Sequence, residues 1–352
     1  MNIFITIVVF LVILFIVIVA HELGHFFVAK LSKVRVEELG LGFPPRIFGI
    51  KRGETIYSLN WVPLGGFCKM AGEEDPNVPG SLAAKGRWTR FFVLSAGSVA
   101  MLILPAIIFP IAQMVPMERY VDGKGVQVVS VAAGSPAQAA DIQVGDIIVS
   151  IEGQEVNTIG EVHEAVEPYI GQEMSLVLLR DSAQVEVSLV PRAEYPEGEG
   201  SMGVQIGPIT EYTAYPPWQA IPRGLAQYWE MLVQIKDALV SLFQGTEALV
   251  IAGPIGIAQL TSSALQAGIY PLIWFTCFLS VNLAFINLLP IPALDGGRIL
   301  FLLIEVLRGG RRIAPQREGL INLIGFSLLI IFILVVSYFD VLRVIQGGSL
   351  LP

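Results

Sequence analysis

The chain has 352 residues, of which 54% are hydrophobic and only 15% charged, with a formal net charge of −8 and a mean hydropathy of +0.67. A soluble domain of this length carries far more charge, so the composition excludes an ordinary soluble enzyme and predicts membrane spans. No basic stretch with interleaved aromatics suggests nucleic acid, and two cysteines expected in different environments, Cys68 and Cys277, exclude a disulfide framework and a zinc knuckle.

In chain order, the first apolar run is Ile3–Ala20, charge-free and broken only by Thr6. It lacks the basic flank and cleavage site of a signal peptide and reads as a retained span. Residues 34–72 read as short strands: Glu54–Val62 partly alternates and ends at the breaker cluster Pro63-Leu-Gly-Gly. An exposed loop is expected over 73–88, then a second span at Phe91–Val115. Residues 122–195 form a separate module. Its β-rich runs are Val126–Val131, Asp146–Ile151, Ser175–Leu179 and Val185–Val190, and its helical candidates are Pro136–Ala140 and Val162–Val166. Pro191–Gly200, rich in Pro, Glu and Gly, reads as a linker. Leu225, Tyr228, Trp229, Leu232, Ile235, Leu239 and Leu242 then recur at helical spacing, which predicts an amphipathic helix that packs on the protein or lies on the membrane surface. Spans three and four are Ile269–Leu289 and Leu320–Phe339, each near or above the length needed to cross about 30 Å of hydrocarbon.

Charge sets the expected sidedness. Residues 30–90 carry ten Lys/Arg against six Asp/Glu, and 305–318 adds Arg308, Arg311, Arg312 and Arg317, whereas 114–267 has six Lys/Arg against nineteen Asp/Glu. The positive-inside bias puts the first two segments in the cytoplasm and the third outside, with both termini outside. The fold class is therefore a multi-pass α-helical membrane protein of about four transmembrane helices. It carries a membrane-associated β-element on the cytoplasmic side and one extracytoplasmic α+β module. The expected divisions are 1–118, 119–200, 201–267 and 268–352.

The chain has three histidines, and two fall in His21-Glu22-Leu23-Gly24-His25, directly after the first apolar run. Positions i and i+4 share a helix face, so both imidazoles can hold one Zn²⁺ while Glu22 reaches a water on it. Two polar residues at a helix end are the bland alternative. An ionisable group costs about 2.5–3.5 kcal/mol at mid-bilayer on insertion scales, which favours a functional site. A catalytic zinc needs a third protein ligand. His163 falls in the outer module, Glu305 borders a cytoplasmic loop and Asp340 lies at the outer end of the last span. Asp295, in Asn287-Leu-Leu-Pro-Ile-Pro-Ala-Leu-Asp295-Gly-Gly, fits better. Its prolines and glycines predict a broken helix, tolerated at membrane depth only where it is buried or lines a wet cavity. Both Asp295 and His21 are then expected near the cytoplasmic ends of their spans.

These motifs, in this order and around a β-rich module, resemble the site-2 protease family, most closely its bacterial RseP-like regulated intramembrane members. The resemblance covers nearly the whole chain. It implies zinc held by His21, His25 and Asp295, Glu22 as general base, and a PDZ-like module at 122–195. The PDZ likeness rests on Gly125-Val-Gln-Val-Val, Gly134-Ser-Pro-Ala and Val144-Gly-Asp-Ile-Ile-Val-Ser-Ile-Glu-Gly153. Gly253-Pro-Ile-Gly-Ile-Ala-Gln259 also looks like a family string, without an evident physical role. Three departures stand out. The family's frequent Ala-Gly-Pro-x-x-Asn reads Ala96-Gly97-Ser98-Val-Ala-Met101 here. Arg298 stands where the protein that gives the RseP-like members their name has a histidine after the Asp-Gly-Gly string, and Asp141 replaces a PDZ glycine, which suits a left-handed backbone.

The expected reaction is zinc-assisted hydrolysis of peptide bonds in transmembrane segments, such as those of anti-sigma factors or signal-peptide remnants. Another protease would have cleaved the substrate first. The lipid bilayer is the other partner, and the expected location is the bacterial cytoplasmic (inner) membrane. Substrate contacts are expected at three places. The edge of the β-element near Tyr57 and Leu59 suits strand addition. Asn282 and Asn287 suit the freed substrate backbone, with the resemblance favouring Asn287 and a helix–helix hydrogen bond the alternative for Asn282. Lys124, Gly125 and Val126 of the module suit a chain end. Two other function classes are weighed: a catalytically silent membrane PDZ scaffold, and an ion-coupled transporter using Asp295, which leaves Glu22 and the histidine pair unused and lacks an internal repeat.

Overall fold

The computed structural model describes residues 3–73, 75–120, 125–181, 183–196, 200–245 and 252–345. The chain forms two compact units, Met1–Val115 with Tyr215–Pro352, and Pro116–Ala214.

The first unit opens with α1 (Ile3–Leu31). Its apolar sequence continues as helix well past Ala20, so the histidine pair lies within α1 rather than at its end. A turn through Lys33 leads to a hairpin of two long strands, β1 (Val36–Arg52) and β2 (Thr55–Met70), instead of the short strands expected. Both strands bend, so one stretch of β1 pairs twice. Leu39 faces both Cys68 and Tyr57, and Gly40 faces both Phe67 and Ser58. On the other side of the 56–59 stretch, Ile50 pairs with Tyr57 and Phe48 with Leu59. Four segments therefore lie side by side in the order 66–70, 38–41, 56–59 and 48–52. The chain turns back after Gly42, whose φ of 80° suits a residue without a side chain.

The expected loop at 73–88 is only partly exposed, because Leu82 and Ala83 are buried and Leu82 joins a core with Ala29, Val36 and Val93. Next comes α2 (Arg87–Met114).

The second unit holds β3 (Met117–Tyr120), β4 (Val126–Val131), α3 (Pro136–Ala139), β5 (Ile147–Ile151), the short β6 (Gln154–Glu155), α4 (Ile159–Val166), β7 (Met174–Arg180), β8 (Ala183–Leu189), β9 (Val204–Pro208) and β10 (Thr210–Thr213). β10 pairs with β3, and the main sheet runs β8-β7-β5-β4-β9 with β6 on β5. Ser135 caps α3 ahead of Pro136, and Thr158 with Glu161 forms a capping box that starts α4. Asp141 adopts φ 57°, the left-handed backbone its place in the signature requires. The module does not end near residue 200. The Pro/Glu/Gly stretch read as a linker is followed by β9, which returns to pair with β4. Five residues interrupted by glycine and proline gave too weak a strand signal.

The first unit resumes with α5 (Pro217–Gln244), α6 (Pro254–Ala267), α7 (Ile269–Leu288), α8 (Asp295–Leu307) and α9 (Pro315–Ile345). The amphipathic reading of α5 is met by packing. Met231 and Ile235 are buried with Phe109 of α2 and Cys277 and Val281 of α7. α6 is a helix in a stretch assigned to a linker region, and it gives Gly253-Pro-Ile-Gly256 a role. Asp340 of α9 is buried and accepts hydrogen bonds from the Gly253 and Gly256 N–H groups at 2.9 and 2.8 Å, capping α6 from another helix. A Cβ on Gly253 would meet that carboxylate at 2.8 Å. Among the described residues, four helices are long and apolar enough to cross a membrane: Phe4–Leu31, Arg87–Met114, Ile269–Leu288 and Gln316–Arg343.

Candidate metal centre

Two local features create the site. On α1 the four-residue spacing puts His21 and His25 on one face. At the other end of the chain, α7 stops at Leu288 and Asp295 begins α8. Between them Pro290 and Pro292 prevent a continuous helix, and Ala293 takes a left-handed φ of 78°. Gly296 and Gly297 are demanded by this turn. A Cβ on Gly296 would sit 2.1 Å from the Leu289 carbonyl oxygen, and one on Gly297 2.4 Å from that of Ile291. Larger residues would push the turn off α8 and carry Asp295 with it.

The three side chains converge. His25 Nε2 lies 3.2 Å from His21 Nε2 and 3.2 Å from Asp295 Oδ2, and His21 Nε2 lies 3.4 Å from the same oxygen. The set tests well against a tetrahedral zinc. Bonds of about 2.0–2.1 Å imply ligand–ligand edges of about 3.3 Å, which all three separations match. Two imidazoles and a carboxylate are also the donor types of catalytic zinc sites that keep a position open.

α2 supplies the back wall through one stripe of residues four apart. His25 Nδ1–H donates to the Val93 carbonyl oxygen at 2.8 Å, which leaves Nε2 as the free donor atom. Gly97 faces both rings, and Met101 Sδ lies 3.2 Å from His21 Nδ1. Glu22 is buried against the outermost segment of the hairpin. A Cβ on Gly66 would lie 2.8 Å from the Glu22 Cγ. Arg298, one turn along α8 from Asp295, is ion-paired with Glu73 at 2.7 Å. Val93 is absent from the sequence reading, and Gly97 and Met101 enter it only through the altered Ala-Gly-Pro-x-x-Asn string, without a role at the site. The signal available was their spacing of four on α2, which matches that of the histidines on α1.

The other carboxylates weighed as ligands are engaged elsewhere. Glu305 binds Arg90 at 2.6 Å and Arg312 at 3.4 Å, and Asp340 caps α6. The strand edge expected at Tyr57 and Leu59 needs correction. Tyr57 and Leu59 lie in the inner 56–59 segment, paired on both sides, so they offer no free edge; the edge beside Glu22 belongs to 66–70. Asn282 donates to the Phe278 carbonyl of its own helix at 2.8 Å. Asn287 Nδ2 points to Met101 Sδ at 3.8 Å. In the module, Lys124 lies outside the described residues. Gly125 is buried, and Val126, fully buried, is paired with both β5 and β9. A cavity of about 260 Å³ lies instead between α4 and β9, lined by Val162, His163, Val166, Met202, Val204 and Ile206 among others.

Comparison with known proteins adds three likenesses to a family match. The model described as Peptidase family M50 matches residues 9–332. A protein of Clostridium acetobutylicum, provisionally named a zinc metalloprotease, is 33% identical over 331 residues, covering 93% of this chain and 94% of its own. The regulator of sigma-W protease RasP of Bacillus subtilis is 26% identical over 429 residues, covering 96% and 98%. The solved PDZ domain of an SdrC-like protein of Listeria monocytogenes is similar over 25% of this chain and 93% of its own, at 21% identity and a TM-score of 0.22.

Proposed function

The chain belongs to peptidase family M50, and from that premise we propose that it is an intramembrane zinc endopeptidase with the ion held by His21, His25 and Asp295. The observation that carries this reading is the meeting of those three donors at tetrahedral-edge distances. The chemistry such an ion supplies is a water acidified toward a pKa of about 7 and a polarised scissile carbonyl. Glu22, adjacent to His21 and buried, accepts the proton of the attacking water and delivers it to the departing amide nitrogen as the C–N bond breaks.

A peptide bond in a transmembrane helix must first be unwound to be reached. The backbone of 66–70 is the edge that best suits an added extended strand, since Glu22 lies against Gly66. Substrates are transmembrane segments of membrane proteins trimmed beforehand by another protease. The name of the Bacillus relative supports a membrane-anchored regulator of a sigma factor as one class. The module at Pro116–Ala214 acts as a PDZ-type docking or filtering domain, with a chain end received between α4 and β9. It faces outward, as do both termini, while the basic segments 30–90 and 305–318 face the cytoplasm.

The test is cleavage of a model single-span substrate in proteoliposomes by wild type and Glu22→Gln. The variant should retain zinc and cleave at least about a hundredfold more slowly, the usual scale for losing a general base. Equal cleavage by both proteins would overturn the assignment.

A further inference from the structure

A metal-binding imidazole needs a partner on its other nitrogen to fix tautomer and ring angle; carboxylates, carbonyls and water are the common ones. His25 has the Val93 carbonyl. At His21, beside the Gly97 backbone, a thioether lies within hydrogen-bonding distance of Nδ1, Met101 Sδ at 3.2 Å. Met101 is firmly placed for this task. It is 2% exposed, its carbonyl accepts a hydrogen bond from Ser280 Oγ of α7 at 2.8 Å, and its sulfur also faces the Asn287 amide at 3.8 Å. One residue of α2 thus touches a metal-binding side chain of α1 and two polar side chains of α7. It is also where this chain departs from the Ala-Gly-Pro-x-x-Asn pattern.

We propose that Met101 is a positioning residue for the metal centre, holding His21 with Nε2 toward the ion, and that Asn287 is tethered to the same sulfur. A thioether is a weak acceptor, so this chain orients one histidine by a firm carbonyl and the other by a soft, polarisable sulfur. The inference rests on the proposed zinc site.

The experiment compares the full chain in detergent, stripped of metal, with Met101→Leu and Met101→Gln. Leucine approximates the volume without an acceptor; glutamine restores one at similar reach. Zinc affinity against a competing chelator should fall about 10–100-fold in Met101→Leu, the range typical of a lost outer partner, and return to within about threefold of wild type in Met101→Gln. The cobalt(II) absorption spectrum should change in Met101→Leu and resemble wild type in Met101→Gln. Unchanged affinity and spectrum in Met101→Leu would assign the orientation to the Gly97 backbone, which also faces His21, and overturn the proposal. Equal losses in both variants would make the side chain's shape the cause and overturn it too. Failure of the wild type to bind zinc would remove the metal centre itself, a result distinct from either.

Discussion

Gly97 of α2 stands directly over His25: a Cβ at that position would lie 2.3 Å from Nε2 and 2.5 Å from His21 Cε1. No rotamer change removes a Cβ, so a side chain there must displace both imidazoles or separate α1 from α2. Gly97→Ala should lower zinc affinity by at least about a hundredfold, the upper end of outer-partner losses. Chelator competition measures this, and circular dichroism should show the helices intact.

Asp340 should matter for stability rather than chemistry. Its carboxylate takes two backbone N–H groups at the start of α6. Asp340→Ala leaves them unpaired away from water and should cost about 1–3 kcal/mol. Asp340→Asn, which keeps an acceptor, should cost less. Thermal unfolding in detergent compares the two, and zinc affinity should change little in either.

The module at Pro116–Ala214 carries a pH-dependent clasp. Arg180 donates to both oxygens of Asp146 at 2.8 Å and holds that buried carboxyl below its ordinary value, aided by the Gln143 N–H. A depressed carboxyl stabilises the fold above its unfolded value of about 4, and the benefit is lost as pH falls through the folded value. Hydrogen-exchange protection of β5 and β7, corrected for intrinsic rates, should therefore drop as the medium is acidified below about pH 4. In Arg180→Ala protection should already be lower at neutral pH, and its acid dependence should flatten.

The parts legible in the sequence rest on short-range rules. The imidazole pair follows from helical spacing, and Asp295 from the proline and glycine breakers that make a helix start where it does. The four long apolar helices follow from composition. What escaped depends on the chain folding back on itself. Tyr57 and Leu59 look like an edge until β1 doubles back after Gly42 and covers their other side. Val204–Pro208 looks like the tail of a linker until β4 supplies its partner. The stripe of Val93, Gly97 and Met101 has no chemistry of its own until α1 lies against it.

The most direct test is zinc-edge X-ray absorption on the metal-loaded protein and on Asp295→Ala. The geometry predicts two imidazole nitrogens and light oxygen donors at about 2.0–2.2 Å with no sulfur. One oxygen donor should be replaced, and affinity should fall steeply, in the variant. A wild-type spectrum without two imidazoles, or one unchanged in Asp295→Ala at equal affinity, would contradict a centre shared by the two ends of the chain.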